Sequence, residues 1–305
     1  MKSLEVSFGL EGFRLLRAKP WLVLVWGLII TGLLAGVGFA AYHFGLPFFT
    51  ELQKSTPDAK VMGNFLAIFI PGYILFILAL IVVMSMFRCA VFRAVLEGRN
   101  AGFAYLRLGG DELRQIAANL LMGLLFMVVI GAIVLAGVLI FGAMGSGGNK
   151  VGAIWILVLG GIACLWGLSW IGVRLSLYSV QTFATHRINL FGSWNLTSGY
   201  VWTLLAGFAI AAILAGIISE AGNAIGQIVL AATMGTNAMM PFSPGNEPKD
   251  LHAAMSVMTS PAYLSIIGLQ FFLVVPINMI LQLAPEAAAY RSLSGQLTKN
   301  PEAVF

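Results

Sequence analysis

Six long stretches of the chain carry no charged side chain: Trp21 to Tyr42, Phe65 to Phe87, Ile116 to Met144, Gly152 to Val173, Val201 to Ile218 and Ala262 to Ala284. A bilayer core about 30 Å thick is crossed by roughly 20 helical residues, so each stretch can span it, the fifth near the lower limit. In lipid a lone apolar segment satisfies its backbone hydrogen bonds only as a helix. The pattern therefore predicts an all-α polytopic bundle of six transmembrane helices forming a single integral membrane domain, 1–305.

The segments between the runs are amphipathic in a regular way. Residues 1–20 interleave Lys2, Arg14, Arg17 and Lys19 with Val6, Leu10, Phe13 and Leu16. On a helix those four apolar residues share a face, which predicts a segment lying in the membrane interface with its bases toward anionic headgroups. A cleavable leader fits less well, because Glu5 and Glu11 precede a run long enough to be an anchor. Two connectors, Arg88 to Gln115 and Arg174 to Tyr200, follow apolar runs that end in arginine. A shift of 88 residues lays Arg99 under Arg187, Phe103 under Phe191 and Leu108 under Leu196. Each connector leads into its next run through a small-residue break, Gly109-Gly110-Asp111 or Thr197-Ser198-Gly199. Asp111 is expected to cap the third spanning helix, with Glu112 in its first turn, and Thr197 or Ser198 the fifth. The layout predicts three parallel hairpin repeats, the first matching the others only in its amphipathic connector.

One connection breaks the regularity. Ala221 to Asn246 carries no charge, but a seventh span there would leave no turn after Ile218 and would strand Arg291 and Lys299 on the opposite side. Glu220, Asn223 and Gln227 share a helical face, so the fifth helix is expected to run on past the membrane or along its outer surface. Beyond it Met239 to Asp250 is a proline and glycine loop.

Composition agrees with this picture. Hydrophobic residues are 59% and charged residues 10% of the chain, against about 45–50% and 25% in soluble domains. Of 17 Lys and Arg, 13 fall on the side of the N-terminal segment, the two connectors and the tail, and 4 on the other. Positive charge is retained in the cytoplasm, which predicts a multi-pass protein with both termini cytoplasmic. Arg88, Arg93, Arg99, Arg107, Arg114, Arg174 and Arg187 become candidate contacts for anionic lipid, each contributing about 1 kcal/mol. They are too few, and too close to the membrane, for a nucleic-acid surface. Gly32 and Gly36 have the GxxxG spacing that permits close helix contact, so a second copy of the chain joins a membrane-protein partner among the candidates.

Candidate chemistry is sparse. No Asp, Glu, Lys, Arg or His lies within the six runs, where pumps and ion-coupled carriers place such groups. Glu220 stands just past the fifth run as an interfacial carboxylate. Gln270, Asn278 and Gln282 form a polar stripe on the sixth, interrupted by Pro276. Their amides either bond across to neighbouring helices, the favoured reading, or line a substrate path beside a proline break. Pro71-Gly72 in the second run predicts a kink. Cys89 and Cys164 suit neither a disulfide nor a metal site. No HExxH, CxxC or GxSxG occurs, and Gly142 to Lys150 lacks the spacing of a phosphate loop. No catalytic residue, metal or cofactor is expected.

The element Ser193, Trp194, Leu196, Thr197, Gly199 and Trp202 resembles the recurrent Ser-Trp-x-Leu-Thr-x-Gly-x-x-Trp pattern of the bacterial membrane-domain family associated with glycerophosphoryl diester phosphodiesterases, and of related six-helix inner-membrane proteins. The segment around Tyr290 and Arg291 is similar to the way those chains end. The resemblance implies architecture and location rather than activity. Catalysis in the enzyme members belongs to a separate soluble domain, and Ile188 after His186-Arg187 replaces the glycine of its motif. The expectation is a non-catalytic inner-membrane scaffold, assembly or envelope-maintenance component that docks lipid or protein. The alternative is a transporter or channel for a neutral or amphiphilic solute.

Overall fold

The computed structural model describes residues 5–40, 43, 59–98, 103–146, 150–234 and 259–295. All regular structure among them is helical. A 3-10 turn, Val6–Leu10, leads into α1, Glu11–Ala18. The spans are α2, Trp21–Ala40; α3, Ala59–Phe92, prolonged by a π turn Arg93–Glu97; α4, Gly110–Ser146; α5, Lys150–Leu175; α8, Val201–Met234; and α9, Pro261–Leu269, continued through a π turn Gln270–Val274 into α10, Val275–Leu293. Between α5 and α8 lie two short helices, α6, Tyr178–Thr185, and α7, Gly192–Leu196. Six of these helical stretches are long and apolar enough to cross a membrane. The chain is a multi-pass helical membrane protein.

The helices outrun the charge-free stretches. The fifth run ends at Ile218, whereas α8 continues to Met234, so the expected extension is present. The hairpin pattern holds in part. α4 packs along α5, and α8 along α10, but α2 lies against the π turn and α10 of the sixth span rather than along α3. The first repeat is thus opened, and its span completes the far side of the third.

The core sits at the end where the connectors gather. Each returning span runs on beyond its apolar stretch, and the three extensions meet. Phe87, Phe92, Val95, Val180, Phe183, Ala284, Ala287 and Ala288 are buried in one cluster, with the Phe92 and Phe183 rings 5.8 Å apart. Alanine at three of these positions lets α10 approach the other two closely. Each extension stops in a left-handed residue: Gly98 at φ 64, His186 at φ 54 and Gly295 at φ 75. Glycine reaches that conformation without a Cβ penalty. The 88-residue shift superposes the first two stops. Toward the opposite end α3, α4 and α5 leave large apolar side chains such as Leu75, Met127 and Leu159 exposed. Lipid tails solvate them as well as leucine would.

Span 1 is seated by a proline. Pro276 has no N–H, so the Phe272 carbonyl loses the donor that an uninterrupted α-helix supplies. The preceding π turn absorbs the break, with Val275 N–H donating to the Gln270 carbonyl. The Phe272 oxygen then faces α2, and a Cβ on Gly27 would stand 1.9 Å from it. Close contact of the first span therefore falls at Gly27. Among the described residues nothing lies within 4 Å of the positions a Cβ would take on Gly32 or Gly36.

The N-terminal segment packs by the face opposite the expected apolar one. Phe8, Gly9, Glu11, Gly12 and Leu15 are buried, whereas Val6, Leu10 and Phe13 are exposed. The Phe8 ring fills the space that Gly207 leaves on α8 and meets Phe208 edge-on at 5.6 Å. Gly12 abuts the Leu281 backbone of α10. The apolar stripe is left exposed.

The two expected caps are corrected. Asp111 lies inside the first turn of α4, buried and paired with Arg114, while Leu113 N–H donates to the Gly109 carbonyl. Thr197 does not cap α8 either: its hydroxyl donates to the Ser193 carbonyl at 2.9 Å, and Tyr200 precedes the helix. Each side chain also reaches another segment, Asp111 to His186 at 2.8 Å and Thr197 to the Arg174 carbonyl at 3.2 Å.

Candidate functional site

Two features of the connector end carry polar chemistry: a set of arginine ties and a groove between α8 and α10.

In the ties, each returning span holds the connector of another unit through one arginine. Arg93, on the extension of the second span, donates to the Tyr105 carbonyl at 2.9 Å and to Glu112 at the start of α4. Its side chain is 2% exposed and that of Glu112 0%, and its guanidinium lies 5.6 Å from the Phe183 ring. Arg174, at the end of the fourth span, donates to the Trp194 carbonyl at 3.0 Å. It is held between two indoles, 5.1 Å from Trp170 and 5.2 Å from Trp194. Ser193 and Thr197 donate back to the Arg174 carbonyl at 3.1 and 3.2 Å. Arg291, near the end of the sixth span, donates to the Glu11 carboxylate at 3.1 Å and to the Val95 carbonyl at 2.9 Å. The third tie returns to the N-terminal segment, and the set closes on itself.

The 103–105 turn sits within these ties under strain. Ala104 and Tyr105 both have positive φ, 53 and 60, a conformation costing roughly 1–2 kcal/mol per non-glycine residue. Trp26 Nε1–H donates to the Ala104 carbonyl at 3.2 Å, Lys19 reaches the Tyr105 hydroxyl, and Arg93 holds the Tyr105 carbonyl. Three donors thus fix the turn: Trp26 on α2, Arg93 on the extension of α3, and Lys19 from the segment before α2.

A polar chain continues into the bundle. Gln115 donates to the Ser179 hydroxyl at 2.7 Å and to Asn119 Oδ1 at 3.0 Å, which also accepts from Tyr178 at 2.8 Å. Arg88 donates to the Ser179 hydroxyl at 3.4 Å.

The groove has a volume of about 440 Å3. One wall is α8, with Phe208 and the small residues between Ala211 and Gly216. Its polar atoms come from Ser176, Ser219, Gln282 and Glu286. Glu286 Oε2 is buried and has no hydrogen-bond partner among the described residues.

The residues singled out in the sequence are thereby divided. Asn278 donates to the Ser219 hydroxyl at 2.7 Å, an interhelical bond of the favoured kind. Gln270 Oε1 lies 3.2 Å from where a Cβ on Gly222 would stand, so its amide crosses to α8 over a glycine. Gln282 faces the groove. The stripe is therefore apportioned between packing and cavity. Glu220 is exposed on α8, away from the groove. Of the seven candidate lipid-contact bases, Arg93 is buried and spent on Glu112. Arg174 and Arg88 are half-buried in the contacts just given, and Arg114 pairs with Asp111 beside His186, whose Nδ1 is 2.8 Å from the same carboxylate. Arg107 and Arg187 are exposed. Arg99 lies outside the described residues. His186 and Arg187, on the second connector, come close to the start of α4 through that Asp111 contact.

Sequence reading gave no site role to Glu11, Glu112 and Glu286, three carboxylates that stand next to apolar runs or within the N-terminal segment. Spacing held one signal: Glu286 falls one turn past Gln282 and prolongs its stripe. Among the described residues no three of His, Cys, Asp and Glu are grouped as a metal ion requires. Comparison of the chain with family models, with curated proteins and with solved structures found no match.

Proposed function

We propose that the protein is a non-catalytic component of the inner membrane, a scaffold or assembly element whose connectors dock lipid or a membrane-protein partner on the cytoplasmic side. One observation carries the reading. In both connectors the buried faces are consumed by internal hydrogen bonds, while a rim of apolar side chains stays outside: Phe103 at 74% and Phe191 at 60% exposed, with Leu108, Leu113 and Ile188 near them. The exposed bases Arg107 and Arg187 share that rim. Apolar rings beside exposed guanidinium groups suit the headgroup boundary of an anionic leaflet, or a partner seated there. The resemblance of the Ser193 to Trp202 element to a membrane-domain family is in keeping with such a role.

Site-specific photocrosslinking in cells tests it, with the photoreactive residue at Phe103, Phe191 and, for comparison, Met127 on the lipid-facing flank of α4. Docking predicts a discrete protein adduct, or anionic lipid adducts at Phe103 and Phe191 that Arg107→Glu with Arg187→Glu abolishes. Identical adduct patterns at all three positions, unaffected by charge reversal, would defeat the proposal. A carrier for an amphiphilic solute is the second reading, favoured by the polar groove beside Gln282. It predicts solute flux in proteoliposomes that Gln282→Leu removes.

A further inference from the structure

The groove between α8 and α10 sets a chemical requirement of its own. Glu286 points one buried oxygen without a donor toward a space whose opposite wall is Phe208 and small aliphatic residues. A carboxylate only accepts hydrogen bonds, and a buried acceptor left unpaired is costly, more so when it carries charge. The remaining polar atoms are also able to accept. Gln282 offers an amide oxygen, and Ser176 and Ser219 offer hydroxyls, of which Ser219 already receives Asn278. Arg88, on α3, donates to the Ser179 hydroxyl. From Phe208 to Ser219 the apolar wall follows roughly 16 Å of helix, at 1.5 Å per residue. A headgroup rich in N–H donors at one end and an aliphatic tail along the wall would complement this arrangement.

We propose that the groove is a binding site for a membrane amphiphile with a primary ammonium headgroup, the ammonium donating to Glu286 and Gln282 and the tail lying along α8. A quaternary ammonium carries the same charge but no N–H, and leaves the Glu286 oxygen unsatisfied. Two sources share the recognised chemistry: an ethanolamine phospholipid of the bilayer, or a free long-chain amine. The site lies apart from the exposed connector rim, so it does not rest on the docking role.

The full chain, purified in a neutral maltoside detergent, is titrated with phosphatidylethanolamine and with phosphatidylcholine of identical acyl chains, and bound lipid is counted by native mass spectrometry. Parallel titrations use dodecylamine and dodecanol. The site predicts about tenfold preference for the primary-ammonium member of at least one pair. Retention of the ethanolamine lipid identifies a bilayer ligand, and retention of dodecylamine alone a free amine. Glu286→Gln, nearly isosteric, abolishes the preference without changing the elution profile. Should that variant aggregate, Ala212→Phe, which fills the mouth of the groove and leaves the carboxylate in place, must abolish it instead. Equal retention within both pairs, or a preference that survives either folded variant, overturns the proposal.

Discussion

Arg93 and Glu112 give the most direct test of how the connector end is held. Both side chains are withdrawn from solvent, at 2% and 0% exposure. Removing one partner leaves an uncompensated charge in the core, which costs about 3–5 kcal/mol. Glu112→Leu leaves Arg93 with the Tyr105 carbonyl and the more distant Asp111 carboxylate, 4.0 Å away. Arg93→Met leaves Glu112 facing Asp111 without the cation that stands between them, since Arg93 also lies 4.0 Å from Asp111. The double variant removes both charges and replaces them with side chains of similar reach. Exchange of a buried pair for apolar groups is often neutral or favourable. Here it also forfeits the hydrogen bond to Tyr105, about 1 kcal/mol. The double variant should thus lie within about 1–2 kcal/mol of the parent, while either single change costs at least about 3. Unfolding in mixed micelles of increasing SDS fraction, followed by tryptophan emission, measures all four proteins. Additive losses in the double variant would refute the argument, because they would mean that the two groups do not sense each other.

Gly27→Ala should destabilise the protein by about 1–3 kcal/mol through collision with the Phe272 carbonyl, whereas Gly32→Ala and Gly36→Ala should lie within about 0.5 kcal/mol of the parent; micelle unfolding distinguishes them. Trp194→Leu removes one of the two rings around Arg174 and should cost about 1–3 kcal/mol, the packing of an indole plus its cation contact. Trp202→Leu, exposed on α8, should cost less than about 0.5 kcal/mol in the same assay. Single cysteines at Ser7 and Ser294 should react with an impermeant maleimide only after the cells are opened, and one at Lys60 in intact spheroplasts; the reverse pattern would invert the assigned orientation.

The six crossings were legible because lipid imposes one rule on every span, and the charge-free runs obey it. The lengths of the helices were not. A run ends at its first charged residue, but Arg88, Arg93, Asp111 and Glu286 continue their helices, since each is neutralised or sheltered by another part of the bundle. The same rule concealed Glu286, which stands as a boundary marker beside Ala284 in a reading along the chain and turns into a groove only when α8 is laid against it. Asn278 was assigned its bonding role correctly, because an amide in lipid needs a partner wherever it is. The partner's identity, Ser219, required the fold. Asp111 and Thr197 followed capping grammar in the sequence and abandoned it in the structure, where Arg114 and the Ser193 carbonyl offered stronger or nearer contacts. The left-handed stop at His186 had no glycine to announce it.

The Arg291–Glu11 contact joins groups 280 positions apart. During synthesis the N-terminal segment emerges early with Glu11 beside the exposed Arg14 of its own turn, 3.3 Å away, yet the carboxylate meets Arg291 only after the last crossing has been threaded into the bilayer. Until then the segment has a carboxylate that it must keep wet at the membrane surface. Closure of the third tie is therefore a late event, and until then the opening helix has Phe8 against α8 but no partner on α10.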